Sequence, residues 1–165
     1  MKRHYEKIIV ACCCLSVFVN VGLCITAFAV YQPYIVAMPG IGDTAGSIIL
    51  STRIIVSAAA TMLVNRFYDL LEIRVGLVLA MVLAGVAFFV YSIASTLPVF
   101  LVGATLAGIS YGLGGMVSTA MLVNRWFKSG IGTAVGFATV GSGVAGIVVP
   151  ITVAAIVEAH SLSFA

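Results

Sequence analysis

Charged side chains are scarce in this sequence: Asp, Glu, Lys and Arg together make up 8% of its 165 residues. Soluble globular domains carry about 25% charged residues, so a composition this poor in charge excludes that class. All five carboxylates fall outside the long apolar segments, and no Ser/His/Asp or Cys/His arrangement for nucleophilic catalysis can be assembled from the chain. We therefore expect no enzymatic activity.

The chain also lacks the patterns that bind nucleic acid, nucleotides or metals. Its eight Lys and Arg residues do not form the clustered basic face, interleaved with aromatics, that nucleic-acid binding requires. No Walker A glycine loop is present, so nothing points to an ATP-driven pump. The four cysteines, Cys12, Cys13, Cys14 and Cys24, share one apolar segment, and their spacing fits neither a zinc site nor a disulfide framework. We expect small packing residues there, no cofactor and no nucleic-acid partner.

Long apolar segments occupy almost all of the sequence, which is 62% hydrophobic with a mean hydropathy of +1.24. A helix needs about 20 apolar residues to cross roughly 30 Å of hydrocarbon. Five segments meet or approach that length: 8–30, 46–64, 75–94, 99–123 and 131–157. Their apolar runs are continuous rather than alternating, which excludes a membrane barrel and leaves helices. The sequence predicts an all-α bundle of five transmembrane helices, a single membrane domain over 1–165 surrounded by the lipid bilayer.

Basic residues fall on alternate sides of the predicted spans. Three precede the first span, two lie between the second and third, and two lie between the fourth and fifth: Lys2, Arg3, Lys7, Arg66, Arg74, Arg125 and Lys128. Cytoplasmic loops of membrane proteins carry an excess of Lys and Arg. This pattern therefore predicts a multi-pass protein of the cell membrane with its N-terminus in the cytoplasm and its C-terminus outside.

Arg53 is the only charged residue inside a predicted span. It lies roughly 20 Å from Arg66 at about 1.5 Å per helical residue, which places it within the membrane. An intramembrane Arg costs at least about 2.5 kcal/mol unless it faces a wet cavity or a partner. The functional interpretation is that its guanidinium attracts an anionic substrate and binds a carboxylate at two points. The alternative is that it extends outward or bonds to backbone carbonyls and an Asn side chain.

Glycine is concentrated in the fourth and fifth predicted spans. We expect tight helix packing at six of these glycines: Gly108, Gly112, Gly132, Gly136, Gly141 and Gly143. The first four form two G-x-x-x-G pairs, a spacing that lets two helix backbones approach closely. Such a density of glycine favours helices that rock or slide over helices that merely anchor a protein.

A few residues mark helix ends and bends. Pro98 is placed to begin the fourth helix, where its missing N–H costs nothing. Pro150 falls inside the fifth helix and predicts a kink. Asp43 or Thr44 is expected to cap the second helix, and Ser129 the fifth.

The stretch from residue 108 to 150 is the most specific text in the chain. It reads GISYGLGGMVSTAMLVNRWFKSGIGTAVGFATVGSGVAGIVVP. It resembles the fourth and fifth helices of the major facilitator superfamily, and within it the branch of oxalate/formate antiporters and monocarboxylate porters. The aromatic-basic turn NRWFK at 124–128 and the glycine pattern of the fifth helix carry this resemblance.

The resembled family carries the pattern G-x-x-x-D-R-x-G-R-R between its second and third helices. This chain has Thr61 at the first Gly, Asn65 at the Asp and Tyr68 at the second Gly, and it keeps Arg66. The family Asp helps to latch the two halves of the transporter on the cytoplasmic side, and Asn65 removes that charge. The resemblance implies a gating role for the cytoplasmic loop residues, which are here Asn65, Arg66, Arg74, Arg125 and Lys128.

The resemblance implies secondary transport of a small organic anion, monocarboxylate-like or dicarboxylate-like, by exchange or symport. In the resembled fold helices one and four line the central cavity, so Asn20 and Tyr111 are implied substrate contacts beside Arg53. The alternative for both is a hydrogen bond between helices. Each half of that fold has six spans in two inverted repeats. We expect an incomplete N-terminal half, truncated or partial, without its sixth span and without the C-terminal half that would be its partner.

Two other functions stay open. The chain is alternatively a small helical membrane protein with a structural or partner-binding role, which would associate through its G-x-x-x-G faces. It is otherwise a channel-like homo-oligomer in which Arg53 lines an anion path. A further helical repeat after residue 165 would favour the transporter, and a chain that ends there would favour a remnant or one of these alternatives.

Overall fold

A computed structural model of the chain describes residues 2–36, 42–127 and 130–159, which are helical almost throughout and contain no strand in those ranges. Five of its helical stretches are long and apolar enough to cross a membrane. We call them spans one to five: Ile9–Val36, Asp43–Leu70, Val75–Ile93, Leu97–Trp126 and Ile131–Ala155. The prediction of an all-α fold with five helices of membrane-crossing length is confirmed.

The individual helices follow the spans, with a change of helix type in the first span and a break in the fourth. In chain order they are α1 Lys2–Val21, a π-helix at Gly22–Ala27, α2 Phe28–Val36, α3 Asp43–Leu70, α4 Ile73–Ile93, α5 Leu97–Gly114, α6 Met116–Trp126 and α7 Ile131–Ala159. Spans two, three and five are single helices, whereas the irregularities in spans one and four were not predicted. Both irregularities lie well inside their spans, where unpaired backbone groups are costly.

The π-helix in span one is closely packed by span five. A Cβ added at Gly22 would lie 3.0 Å from a methyl carbon of Val149 and 3.3 Å from the Cβ of Ala145. Within the π-helix, the Thr26 hydroxyl donates a hydrogen bond to the Gly22 carbonyl at 2.6 Å. A π turn shifts backbone carbonyls out of the regular helical ladder, and such turns are frequent at functional sites.

The break in span four lies at Gly115, whose backbone is extended with φ −80° and ψ −158°. A helix end leaves its last carbonyls without backbone donors. Here three consecutive carbonyls at the end of α5 accept hydrogen bonds from hydroxyl groups. The pairs are Ser118 to Gly112 at 3.3 Å, Tyr68 to Leu113 at 2.8 Å, and Ser16 to Gly114 at 3.3 Å. Hydroxyls from spans one, two and four therefore stabilise the break.

Span four is the centre of the packing. Spans two and three both pack along it, and span five packs mainly on span one. A Cβ at Gly108 would lie 2.7 Å from the Arg53 carbonyl oxygen, and one at Gly112 would lie 2.7 Å from the Ser57 carbonyl oxygen. These glycines therefore let span four approach span two. In span five, Gly141 lies against the Cys14 carbonyl of span one.

The other predicted packing glycines of span five lie on an open face. At Gly132, Gly136 and Gly143, an added Cβ would meet no described atom of a neighbouring element within 4 Å. The large apolar side chains of Val140 and Ile147 are exposed on the same helix. Within the described residues, these glycines do not join span five to span four.

Some of the predicted helix ends are confirmed and others are not. Pro98 lies in the first turn of α5, as predicted. The helix α7 continues through Pro150. Gly42 is the N-cap of α3 and no side chain caps this helix, so the predicted cap by Asp43 or Thr44 is wrong. Ser129 lies outside the described residues.

The contrast between the two G-x-x-x-G pairs predicts unequal effects of one substitution. Gly112→Ala would place a Cβ 2.5 Å from that of Ala60, so we expect the free energy of unfolding to fall by about 1–3 kcal/mol. The matched control is Gly136→Ala, which has open space and gains helix propensity. SDS-induced unfolding of the purified protein in mixed micelles measures both. Equal stability of the two variants would contradict the packing described here.

Candidate functional site

Arg53 lies in the middle of α3, and its half-buried side chain crosses to span one. Its Nη1 donates a hydrogen bond to the Cys24 carbonyl, which belongs to the π-helix. Its Cζ lies 5.1 Å from the centroid of the Phe28 ring, within the range of a cation–π contact. Both contacts are made to span one, so the guanidinium lies between spans one and two at the π-helix.

The positive charge of Arg53 has no carboxylate partner among the described residues. The one ion pair found there joins Arg125 to Asp69 at the ends of spans four and two. Ionisable side chains within membrane spans usually pair with one another, bond to carbonyls or face a water-filled cavity. Arg53 is met by a carbonyl dipole and an aromatic face, which leave its net charge uncompensated.

Aromatic side chains form the wall beside Arg53. The Tyr91 ring is the hub of this wall: its centroid lies 5.5 Å from that of Phe28, 5.9 Å from that of Phe88 and 6.2 Å from that of Phe100. Tyr91 and the Arg53 guanidinium both lie against the Phe28 ring. Sequence reasoning missed Tyr91, because nothing in an apolar helix marks which tyrosine faces the one charged residue.

Tyr111, a predicted substrate contact, lies near Arg53. Its half-buried side chain packs with Tyr91 against the cluster that contains Cys24, whose carbonyl accepts the hydrogen bond from Arg53. The structure therefore brings together two of the three predicted binding residues, Arg53 and Tyr111, at the π-helix.

Asn20, the third predicted binding residue, is fully buried and hydrogen-bonded inside the bundle. Its Nδ2 donates to the Ser16 carbonyl at 3.0 Å, and its Oδ1 lies 2.9 Å from the Ser110 Oγ. The same Ser110 hydroxyl lies 2.8 Å from the Ala80 carbonyl. Spans one, three and four meet at this network, so the contacts of Asn20 favour the interhelical alternative.

The predicted gating residues lie at the end of the bundle opposite Gly42. Asn65 and Arg66 are exposed in the last turns of α3, and Arg74 lies in the first turn of α4. Lys128 lies outside the described residues. The structure shows no contact that assigns a gating role to this group, and that role stays a prediction.

Arg125 joins the ends of spans four and two. Its Nη2 lies 2.5 Å from Asp69 Oδ1, and its Nη1 donates to the Tyr68 carbonyl at 3.2 Å. Sequence reasoning missed Asp69, because no motif marks a carboxylate at the end of an apolar helix. Both charged side chains are exposed, and pairs of this kind contribute about 0–1 kcal/mol in water.

The chemistry available around Arg53 is non-covalent binding of an anion. Arg53 carries five N–H donors on a permanent positive charge, and one of them is used on the Cys24 carbonyl. No group of three or more His, Cys, Asp and Glu that could hold a metal ion occurs in the described part of the chain. The residues around Arg53 thus offer charge, hydrogen-bond donors and apolar contact.

No protein-family model matches the chain, and no curated protein or solved structure matches it either. Function is therefore argued from the geometry around Arg53.

The hydrogen bonds of Ser110 predict that removing its hydroxyl lowers the stability of the protein, whereas removing an exposed serine hydroxyl does not. Ser110→Ala removes the donor to Asn20, so we expect the free energy of unfolding to fall by about 0.5–2 kcal/mol. Ser47→Ala is the control, because its exposed hydroxyl bonds only within its own helix, to the Asp43 carbonyl. Unfolding in mixed micelles compares the two. An unchanged Ser110→Ala variant would show that the network does not hold the spans together.

Proposed function

We propose that this chain belongs to a secondary transporter of small organic anions, in which Arg53 attracts the anion within the membrane. One observation carries the proposal: a half-buried guanidinium inside an apolar span has no carboxylate partner among the described residues. A charge in such a place requires a compensating partner or water. A carboxylate substrate supplies both an opposite charge and two acceptor oxygens that match the guanidinium.

The shape of spans one and four supports transport over simple anchoring. Interrupted helices at membrane depth are tolerated where they are buried in protein or line a cavity, and transporters place their binding sites at such interruptions. In the resembled major facilitator fold these two helices line the central cavity. The π-helix supplies the Cys24 carbonyl that binds Arg53, which places an irregular backbone directly beside the charge.

In this proposal the chain forms most of one half of a transporter in the plasma membrane. The alternation of basic residues orients its N-terminus toward the cytoplasm. A second half completes the cavity around Arg53, and alternating access follows from rocking of the two halves. Exchange or symport of a monocarboxylate-like or dicarboxylate-like anion is the corresponding activity.

A structural or partner-binding role is the second candidate, and the open face of span five favours it. No described atom of a neighbouring element lies within 4 Å of a Cβ added at Gly132, Gly136 or Gly143, and Val140 and Ile147 are exposed. In a membrane, small residues on an exposed face let another helix approach closely. This role needs no anion, so the response of the protein to Arg53 substitutions separates the two candidates.

The transport proposal predicts that Arg53→Ala lowers uptake of radiolabelled carboxylates by the native transporter at least about tenfold, since a hydrogen bond to a charged group is worth about 1.5–3 kcal/mol. The amount of protein in the membrane should not change. Arg66→Ala is the control, because Arg66 is exposed at the end of the same helix. Uptake assays in intact cells, normalised to membrane abundance, test this. Normal uptake by Arg53→Ala would refute the role of this residue.

A further inference from the structure

We infer that Tyr91 is a second residue of the anion site, and that its hydroxyl donates a hydrogen bond to the anion that Arg53 attracts. This inference rests on the function proposed above and adds a contact that sequence reasoning did not find.

The Tyr91 hydroxyl is buried and has no hydrogen-bond partner among the described residues. Burial of an unpartnered hydroxyl costs about 1–3 kcal/mol, and buried tyrosines usually bond through this group. Tyr68 is the counterexample in the same bundle, since its hydroxyl donates to the Leu113 carbonyl at 2.8 Å. A phenylalanine at position 91 would make the same ring contacts without that cost, so the hydroxyl itself needs an explanation.

Tyr91 and Arg53 lie against the same ring. The Arg53 Cζ lies 5.1 Å from the centroid of the Phe28 ring. The centroid of the Tyr91 ring lies 5.5 Å from the same point. Tyr91 also packs in the cluster of Cys24, whose carbonyl binds Arg53. The Tyr91 ring fits closely over Gly103, where an added Cβ would lie 2.9 Å from two ring carbons. The missing side chain of Gly103 thus leaves room for the Tyr91 ring inside the bundle, where it contacts Phe28 of span one.

The two side chains supply complementary chemistry for an oxyanion. Arg53 provides the charge and has donors beyond the one used on Cys24, and a phenol adds one directional neutral donor. The aromatic wall of Phe28, Phe88 and Phe100 offers apolar contact for the body of the ligand. The ligand class is therefore a carboxylate with a small apolar body, whose oxygen accepts from both Arg53 and Tyr91.

The test uses the native transporter, purified with the half that completes the cavity and placed in lipid nanodiscs, with radiolabelled benzoate as the probe. Tyr91→Phe should weaken equilibrium binding of benzoate about tenfold or more, the loss expected for one hydrogen bond to a charged group. In the absence of benzoate, the thermal stability of this variant should equal or exceed that of the original chain, because an unpartnered buried hydroxyl has been removed.

Two variants serve as controls. Tyr68→Phe should show the reverse behaviour, a lower stability without benzoate and an unchanged affinity, because its hydroxyl bonds to the protein. Arg53→Gln should abolish binding. Thermal unfolding without benzoate confirms that each variant is folded before its affinity is compared.

The outcomes separate this inference from the proposal beneath it. Benzoate binding that is lost in Arg53→Gln but unchanged in Tyr91→Phe overturns the inference and leaves the anion site standing. A Tyr91→Phe chain that loses stability and affinity together also overturns it, because the hydroxyl would then be structural. If the native transporter binds neither benzoate, acetate nor formate, the proposed function fails and the inference fails with it.

Discussion

Hydrogen bonds from side-chain hydroxyls to backbone carbonyls hold the centre of this bundle together. Span four stops being helical at Gly115, in apolar surroundings where water does not replace lost backbone bonds. Three carbonyls before the break accept from Ser16, Tyr68 and Ser118. Because two of these donors come from spans one and two, the break also fixes how those spans dock on span four. Packing against Gly108 and Gly112 then brings span two close enough for Tyr68 to reach.

Arg53 also donates a hydrogen bond to a backbone carbonyl of another span, but its donor carries a charge. Its bond to the Cys24 carbonyl depends on the π-helix of span one, just as the bonds of the hydroxyls depend on the break in span four. Asn20 and Ser110 link the two irregular spans between these points. The polar groups of the bundle are thus concentrated along the contact of spans one and four, and the charge lies beside that contact. A neutral network of this kind keeps the helices in place, whereas the charge of Arg53 has no carboxylate partner among the described residues.

The helical class and the five spans were predictable from the sequence, because a continuous apolar run of membrane length has no stable alternative to a helix. Arg53 was also identifiable, since it is the one charge in those runs. The break at Gly115 was not predictable, because neighbouring Gly112 and Gly114 look the same in the sequence and remain helical. Two of the three hydroxyl donors at the break, Ser16 and Tyr68, come from other spans, which the local sequence does not contain.

The glycine contacts and the candidate site could likewise be predicted only in part from the sequence. A G-x-x-x-G pair predicts that a backbone approaches closely, but not which one. Gly108 and Gly112 meet span two, whereas Gly132 and Gly136 meet no described neighbour. Tyr91 and Asp69 are recognised only by their contacts with Phe28 and Arg125, which are distant in sequence. Likewise, the sequence leaves open whether Asn20 contacts a substrate or another helix, and its bond to Ser110 depends on the packing of spans one and four.

The packing of Gly22 has a mechanical consequence. The π-helix has Val149 of span five on one side and the Arg53 guanidinium on the other. Span five itself packs mainly on span one, while spans two and three pack mainly on span four. The backbone turn that carries the Cys24 carbonyl is therefore in contact with span five as well as with Arg53. The packing of span five against Gly22 thus bears on the position of the carbonyl that holds the guanidinium.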